Sequence, residues 1–244
     1  MSSNFLIDPI KVIVVLPVLN ERPNLEIIIS GIFDMYPGIS IVVIDDNSID
    51  GTRNYLEQLL EVYPKLNYIW RADRLGIGNA HLAGISHAIS TKFEYAITMD
   101  ADLTHRIEDL SLFLGVNPSA DLIIGSRYLS DTNMVGWSLF RRILTNGGHI
   151  ATYLAFGSDL DMSSGMRRYL TRTIPANSLQ ENCPNDYAYF FVSAVLYKRL
   201  NLRVDQVSIM LNSRNLGKSK MSLKLMIKGM ATLFMYASRI KRLH

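Results

Sequence analysis

Apolar residues in this chain fall into short β-branched runs that end on turn residues. Between those runs they recur every three or four positions. "KVIVVLPVLNE" opens with such a run and stops at Pro17, the pattern of a buried strand passing into a loop. "NLEIIISGIF" has helical spacing. "ISIVVIDDNSIDGT" is a second buried strand running into Asp45, Asp46, Asn47 and Ser48, with Asp50-Gly51 as a turn signal. "TRNYLEQLLEVY" is an amphipathic helix and "LNYIWRA" a short strand. "LGIGNAHLAGISHAIS" is a loop leading into a helix, and "FEYAITMDAD" is a further strand.

In the second half, "ADLIIGSRY" is a strand ending in Arg127 and "GWSLFRRILTNGGHIATYLAFG" a helix. "DMSSGMRRY" reads as a loop with one acid and two arginines, and "LRVDQVSIMLNSR" as a late strand. From Met221 onward, apolar residues at 223, 226, 227, 230, 233, 234 and 237 form a helical stripe with Lys224 and Lys228 beside it. The chain thus divides into an α/β domain over 1–220 and a basic amphipathic helix over 221–244. Strands alternating with helices predict a doubly wound, mainly parallel sheet flanked by helices. Ligands in such sheets bind beyond the carboxyl ends of the strands. Pro17 to Glu21, Asp45-Asp46 and Asp100 to Asp102 all fall at such ends.

Composition narrows this picture. With 244 residues, 48% of them hydrophobic, the chain can bury one sizeable core. Its one cysteine, Cys183, excludes an intramolecular disulfide and suggests a reducing compartment. "MSSNFLIDPIKVIVV" has no basic segment ahead of its apolar residues, so it reads as a first strand and not as a signal peptide. The run "YAYFFVSAVLY" falls short of the roughly 20 residues needed to cross a bilayer. The net charge of +3 hides an asymmetry, because no acid follows Asp205 while Arg214, Lys218, Lys220, Lys224, Lys228, Arg239, Lys241 and Arg242 do. Such a tail faces something anionic, or solvent. A nucleic-acid partner would account for the tail but not for the acidic strand ends.

Asp100 and Asp102, two like charges flanking Ala101 after a strand, suit a hard divalent cation that bridges to phosphate oxygens. Two surface acids in a turn are the alternative. Asp45 and Asp46 end a different strand, where a carboxylate can accept from a ribose or base. An Asx-type turn onto Ser48 is also open there. "LGIGNA" lacks the G-x-G-x-x-G spacing, so Gly76 and Gly78 point to a tight backbone turn and not to a nicotinamide site. His105 is the histidine expected near the cation. Trp70 and Trp137 are expected to pack and not to serve as sugar platforms, with Trp137 close enough to the arginines to border the site. His81 and His87 are expected to pack or to face solvent, and Cys183 has no nucleophile or metal signature around it.

Taken in order, "LPVLNE", "IDDNSIDGT", "RLGIGNAHLAG", "MDADLTH", "IGSRY", "GW…RR", "DMSSGMRRY" and "SRNLGKSKM" resemble the family 2 glycosyltransferases of GT-A fold. Within them the dolichol-phosphate mannose synthase branch is the most similar. The resemblance runs from about Lys11 to about Gly229. It implies that Pro17, Leu19 and Glu21 line a nucleotide pocket with Ile44 and Asp46 around base and ribose. Asp100, Ala101 and Asp102 would hold Mg2+ or Mn2+ and a diphosphate, while Arg127, Arg214 and Lys220 would bind phosphate groups of donor or acceptor. Leu19 stands where the branch has tyrosine, Asn146 where it has arginine, and Lys218 where it has an acid. Phe190 and Val192 stand where it has glutamine and glutamate.

The implied activity is metal-dependent, inverting transfer of mannose or glucose from GDP-mannose or a UDP-hexose to a polyprenyl phosphate. The expected setting is the cytoplasmic face of a membrane, with the basic helix meeting anionic lipid, a membrane-anchoring subunit or its own domain. A hydroxyl acceptor with Asp161 as base is one alternative, and a catalytically weak scaffold subunit is another. A polyprenyl phosphate is already an oxyanion, its second pKa being about 6, so it needs no base.

Overall fold

The computed structural model describes residues 6–130 and 139–212. The elements run β1 (Val12–Val18), α1 (Arg22–Met35), β2 (Ser40–Asp45), α2 (Thr52–Val62), β3 (Leu66–Trp70), α3 (Ile77–Ser90) and β4 (Tyr95–Thr98). They continue through α4 (Leu110–Leu114), β5 (Leu122–Ser126), α5 (Leu139–Phe156), β6 (Arg167–Leu170), α6 (Ala176–Asn182), α7 (Ala188–Arg199) and β7 (Val204–Ser208). The strands form one sheet in the order β3-β2-β1-β4-β6-β5-β7. The chain steps outward from β1 through β2 to β3, then returns to place β4 on the other side of β1. The switch point therefore lies between β1 and β4, where such sheets bind ligands.

Both faces of the sheet are covered, which is why its central strands read as continuous apolar runs. Every residue of β1 is buried. Val12, Val14, Leu16 and Val18 face one core with Leu25, Ile28, Ile29 and Ile32 of α1, Leu56 of α2 and Phe113 of α4. Ile13 and Val15 face the other, with Ala80 and Ile85 of α3, Leu179 of α6 and Tyr189 to Tyr197 of α7. Gly84 brings α3 onto β1, since a methyl group there would collide with Val15 Cγ1.

The reading of "DMSSGMRRY" as a loop is corrected over its last residues. Arg167–Leu170 is a fully buried strand, antiparallel to both β4 and β5. Arg167 reaches toward α7 and Arg168 toward α4. The Arg168 guanidinium donates from Nη1 to the carbonyls of Phe113 (2.7 Å) and Val116 (3.0 Å), closing the C-terminal end of α4. Burial pulls its pKa down to about 10. Trp70, expected to pack, is 41% exposed with the Arg53 guanidinium 4.6 Å above its ring. Cys183 is buried, and desolvation pushes its thiol up to about 12.

His81 of α3 is fully buried against Phe190, edge to face with ring centroids 4.9 Å apart. Neither ring nitrogen has a hydrogen-bond partner among the described residues. Desolvation, helped by the positive charge of Arg167, holds its pKa down to about 3. The folded chain therefore keeps this imidazole neutral, while the unfolded chain protonates it below its ordinary value of 6.5. Stability from this group is full above that value and is lost as pH falls toward the folded one, by up to about 1.4 kcal/mol per pH unit. Urea unfolding at pH 7.5 and at pH 5 checks this. His81→Phe should be the more stable protein at pH 5 and should lose that part of the pH slope. Gly84→Val should destabilise by about 1–3 kcal/mol through overpacking against Val15, read from the same unfolding curves.

Candidate active site

Three loops leave the carboxyl edge of the sheet and are tied together by their polar residues. Asn20, with φ 54°, donates its amide to Ser48 Oγ (2.8 Å), and its Oδ1 accepts from the amide of Ile49 (2.8 Å). The Asp50 carboxylate accepts from the amide of Arg22 (3.0 Å) and from Thr52 Oγ1 (2.6 Å), joining the start of α1 to that of α2. Asp45 makes the Asx-type turn, accepting from the amide of Ser48 (2.9 Å), while its second oxygen accepts from the Tyr68 hydroxyl (3.1 Å).

Asp46 is turned toward the loop between β3 and α3. Its Oδ1 accepts from Arg71 Nη2 (2.7 Å) and the amide of Leu75 (2.8 Å), and its Oδ2 from the amide of Gly76 (2.8 Å). Gly76 has φ 93°, and a Cβ there would meet the carbonyl of Asn185. The Gly78 amide donates to that same carbonyl (2.8 Å), so the two glycines make the tight turn that their spacing suggests.

Asp100 and Asp102 follow β4 at the switch point. The Asp102 side chain is largely buried, and Oδ1 accepts from the amide and hydroxyl of Thr104 at 3.0 and 2.5 Å. Asp100 is more open, its side chain 39% exposed. Its amide donates to Nδ1 of the buried His105 (3.0 Å), so in that arrangement Nδ1 is the acceptor and the ring proton sits on Nε2. The contact between Nδ1 and Asp100 Oδ2, at 3.7 Å, is then a proximity and not a hydrogen bond.

The antiparallel β6 explains why a distant segment joins this edge. Arg167 pairs with Thr98 at the end of β4 and with Ile124 near the end of β5, so residues 161–166 arrive at the switch point. Thr98 Oγ1 donates to the carbonyl of Gly165 (2.7 Å). A Cβ on Gly165 would lie 3.1 Å from Asp100 Oδ1. The same loop supplies Asp161, fully buried, whose Oδ2 accepts from Arg127 Nε (2.7 Å). Arg127 Nη2 donates to Ser163 Oγ (3.2 Å). Burial works against the Arg127 charge, but Asp161, with Asp100 adding, raises its pKa above the ordinary value. Asp161 is thus committed to orienting Arg127, which counts against its use as a base.

An aromatic ring stands beside Gly165, close to Asp100. Phe190 of α7 places Cζ 3.6 Å from where a Gly165 Cβ would stand, and both Phe190 and Val192 are buried.

Of the residues expected at the site, Pro17, Ile44 and Ala101 are buried at the strand ends, with Pro17 and Ile44 paired across β1 and β2. Leu19 and Glu21 are half-buried in the first loop. Asp46 is engaged with Arg71, and Asp100, Asp102 and Arg127 come together around residues 161–166. Arg214, Lys220, Trp137 and the helix over 221–244 lie outside the described residues. Arg71, Thr104, Ser163, Gly165 and Arg167 are not singled out by the sequence. Thr104 and Ser163 bond to acids two positions away, whereas Arg71, Gly165 and Arg167 also meet distant segments.

Among the described residues no three acidic, histidine or cysteine side chains gather into a metal cage. The donor set still fits a hard cation of the Mg2+ or Mn2+ kind. Two carboxylates stand at one strand end, Asp102 buried against Thr104 and Asp100 partly exposed, and such ions are held by one or two carboxylates plus substrate phosphates.

Comparison with known proteins gives the family and the fold. Residues 13–191 match the family described as "Glycosyl transferase family 2". An undecaprenyl-phosphate mannosyltransferase of Micrococcus luteus is 30% identical over 213 residues, 87% of this chain and 88% of the relative. A polyprenol monophosphomannose synthase of Mycolicibacterium smegmatis is 30% identical over 217 residues, 87% and 81% of the two chains. Among solved structures, a mannosyltransferase from Pyrobaculum calidifontis in complex with GDP-Man and Mn2+ superposes with a TM-score of 0.59 at 16% identity, over 98% of this chain and 68% of that one. Glucosyl-3-phosphoglycerate synthase of Mycobacterium tuberculosis, with Mn2+ and UDP-Glc, gives 0.62 at 18% identity, over 93% and 79%. At those identities the likeness is one of fold, the GT-A arrangement with a mostly parallel sheet. With the family matched over most of its length, the chain belongs to glycosyl transferase family 2.

Proposed function

We propose that this glycosyltransferase moves a hexose, mannose in the first instance, from a nucleoside-diphosphate sugar to a polyprenyl phosphate. The likeness to two polyprenyl-phosphate mannosyltransferases at 30% identity supports the acceptor class. The observation that carries the reading is that Phe190 and Val192, where the resemblance implies a polar and an acidic residue, are apolar and buried, and that Asp161 is bound to Arg127. A hydroxyl acceptor needs a group to take its proton, whereas a phosphate acceptor arrives as an oxyanion.

In this mechanism an acceptor phosphate oxygen attacks the anomeric carbon as the bond to the nucleoside diphosphate breaks, inverting that centre. The products are a lipid-linked hexosyl phosphate and the free nucleoside diphosphate. A divalent cation, when bound, supplies Lewis-acid neutralisation of the leaving group. Asp100 and Asp102 hold it, and Thr104 keeps Asp102 in place. Arg127, oriented by Asp161 and Ser163, holds the acceptor phosphate near the sugar, with Arg214 and Lys220 adding positive charge. Leu19, Glu21 and Ile44 border the base, and Asp46 shapes that pocket through the Arg71 to Gly76 loop. No described helix is long and apolar enough to cross a membrane. The proposed location is therefore peripheral, at the cytoplasmic face, with the basic segment after Met221 toward anionic lipid.

Titration calorimetry with GDP and with UDP, each with and without Mn2+, tests the donor. Mn2+-dependent binding of GDP alone fits mannose, and binding of UDP alone moves the donor to a UDP-hexose. Binding of neither overturns the reading in favour of a scaffold subunit. Asp102→Ala should abolish the Mn2+ dependence and cost at least about 100-fold in turnover. Robust Mn2+-dependent transfer by that variant would refute the assignment. With a short polyprenyl phosphate as acceptor, kcat/KM should climb through about pH 6 as its second proton leaves and then level off. Transfer to the matching polyprenol, with none to the phosphate, would sink the acceptor assignment.

A further inference from the structure

The Arg167 guanidinium is fully buried and has no carboxylate partner among the described residues. It donates from Nε to the carbonyl of Ser164 (2.8 Å), from Nη2 to those of Met162 (2.9 Å) and Phe190 (2.7 Å), and from Nη1 to Ser193 Oγ (2.9 Å). Two of these acceptors belong to the loop over 161–166 and two to the first turns of α7. A buried charge gains little when its acceptors are all neutral. What the planar fork supplies, and a lysine or an apolar side chain would not, is a fixed geometry between the two segments.

That loop is the piece of chain common to both halves of the site. Gly165 is tied to β4 through Thr98 Oγ1 and lies against Asp100. Four residues earlier, Asp161 holds Arg127 through Nε, and Ser163 holds its Nη2. A shift of the loop relative to α7 therefore changes the separation between the carboxylate pair and the arginine. It also moves Phe190, whose carbonyl is one of the four acceptors and whose ring borders Gly165.

We propose that Arg167 is a positioning residue for transfer, fixing the distance between Asp100 and Arg127 by clamping the loop over 161–166 onto α7. The idea rests on the transferase reading above. The loops after β1 and β2 are held by Asn20 and Asp50, and that after β3 by Asp46 and the Asn185 carbonyl, none of which is an acceptor of Arg167.

The test uses the full chain with Arg167→Lys, which keeps the charge and loses the fork, and Arg167→Met, which loses both. The expected result is a split. Affinity for the nucleotide with Mn2+ stays within about threefold of wild type, while kcat/KM for the polyprenyl phosphate falls about 10- to 100-fold, as a small misplacement of reacting groups would cause. Activity per folded molecule that stays at the wild-type level, with only the thermal midpoint lowered, would overturn the proposal, because that is the signature of a purely structural arginine. Two measurements that need no turnover separate this from failure of the transferase reading. One is the affinity for inorganic phosphate in the presence of nucleotide and Mn2+, and the other is amide hydrogen exchange over 161–166. If wild type transfers nothing, a weakened phosphate site together with faster exchange in Arg167→Lys still supports the clamp. Wild-type exchange over that loop in both variants rejects it.

Discussion

The pairing of Thr98 with Arg167, the end of one strand against the start of another, determines where the chemistry of this molecule is assembled. In a purely parallel sheet, every segment entering a strand does so at the amino edge, away from the ligand side. Because β6 runs the other way between β4 and β5, the residues entering it arrive at the carboxyl edge instead. Asp161, Ser163 and Gly165 are thereby delivered between Asp100 and Arg127, which leave the edge on strands at either side of β6. One reversal of direction brings the loops after β4 and β5 and the loop before β6 together at one edge of the sheet.

The charged groups around that edge follow a common rule. Asp46, Asp161 and Arg71 are all largely buried, and each has an opposite charge within hydrogen-bond reach. Such pairs contribute little net stability, since desolvation offsets most of their attraction, but removing one partner leaves a charge that water cannot reach. They make the loops rigid in one arrangement. Asp100, by contrast, keeps part of its side chain in solvent. The edge thus combines tightly buried, paired supports with one partly solvated carboxylate.

Much of this was legible in the sequence, and what was not has definite causes. The runs ending at Pro17, Asp45, Asp100 and Arg127 announce buried parallel strands, because such strands are apolar on both faces. The turn residues Asp45, Ser48, Gly76 and Gly78 act within a few positions of themselves, so local chemistry sufficed. β6 escaped because two adjacent arginines look like solvated loop, and nothing local reveals that Arg168 donates to carbonyls of 113–117 and Arg167 in part to Phe190 and Ser193. The role of Asp46 as a loop anchor was hidden for a similar reason, its partners lying 25 to 30 positions along the chain. Phe190 and Val192 were visible as apolar residues in an unexpected place. That the Phe190 ring stands beside Gly165 and Asp100 depends on how α7 crosses the sheet, which no periodicity encodes.

The buried thiol of Cys183 has a practical corollary. It is the chain's only cysteine, and its thiolate is strongly disfavoured. Thiol reagents therefore meet a silent background at neutral pH. A single cysteine introduced on any exposed loop becomes a unique attachment point for a fluorophore or spin label. Distances across the site can then be followed in solution without first deleting a native residue from the core.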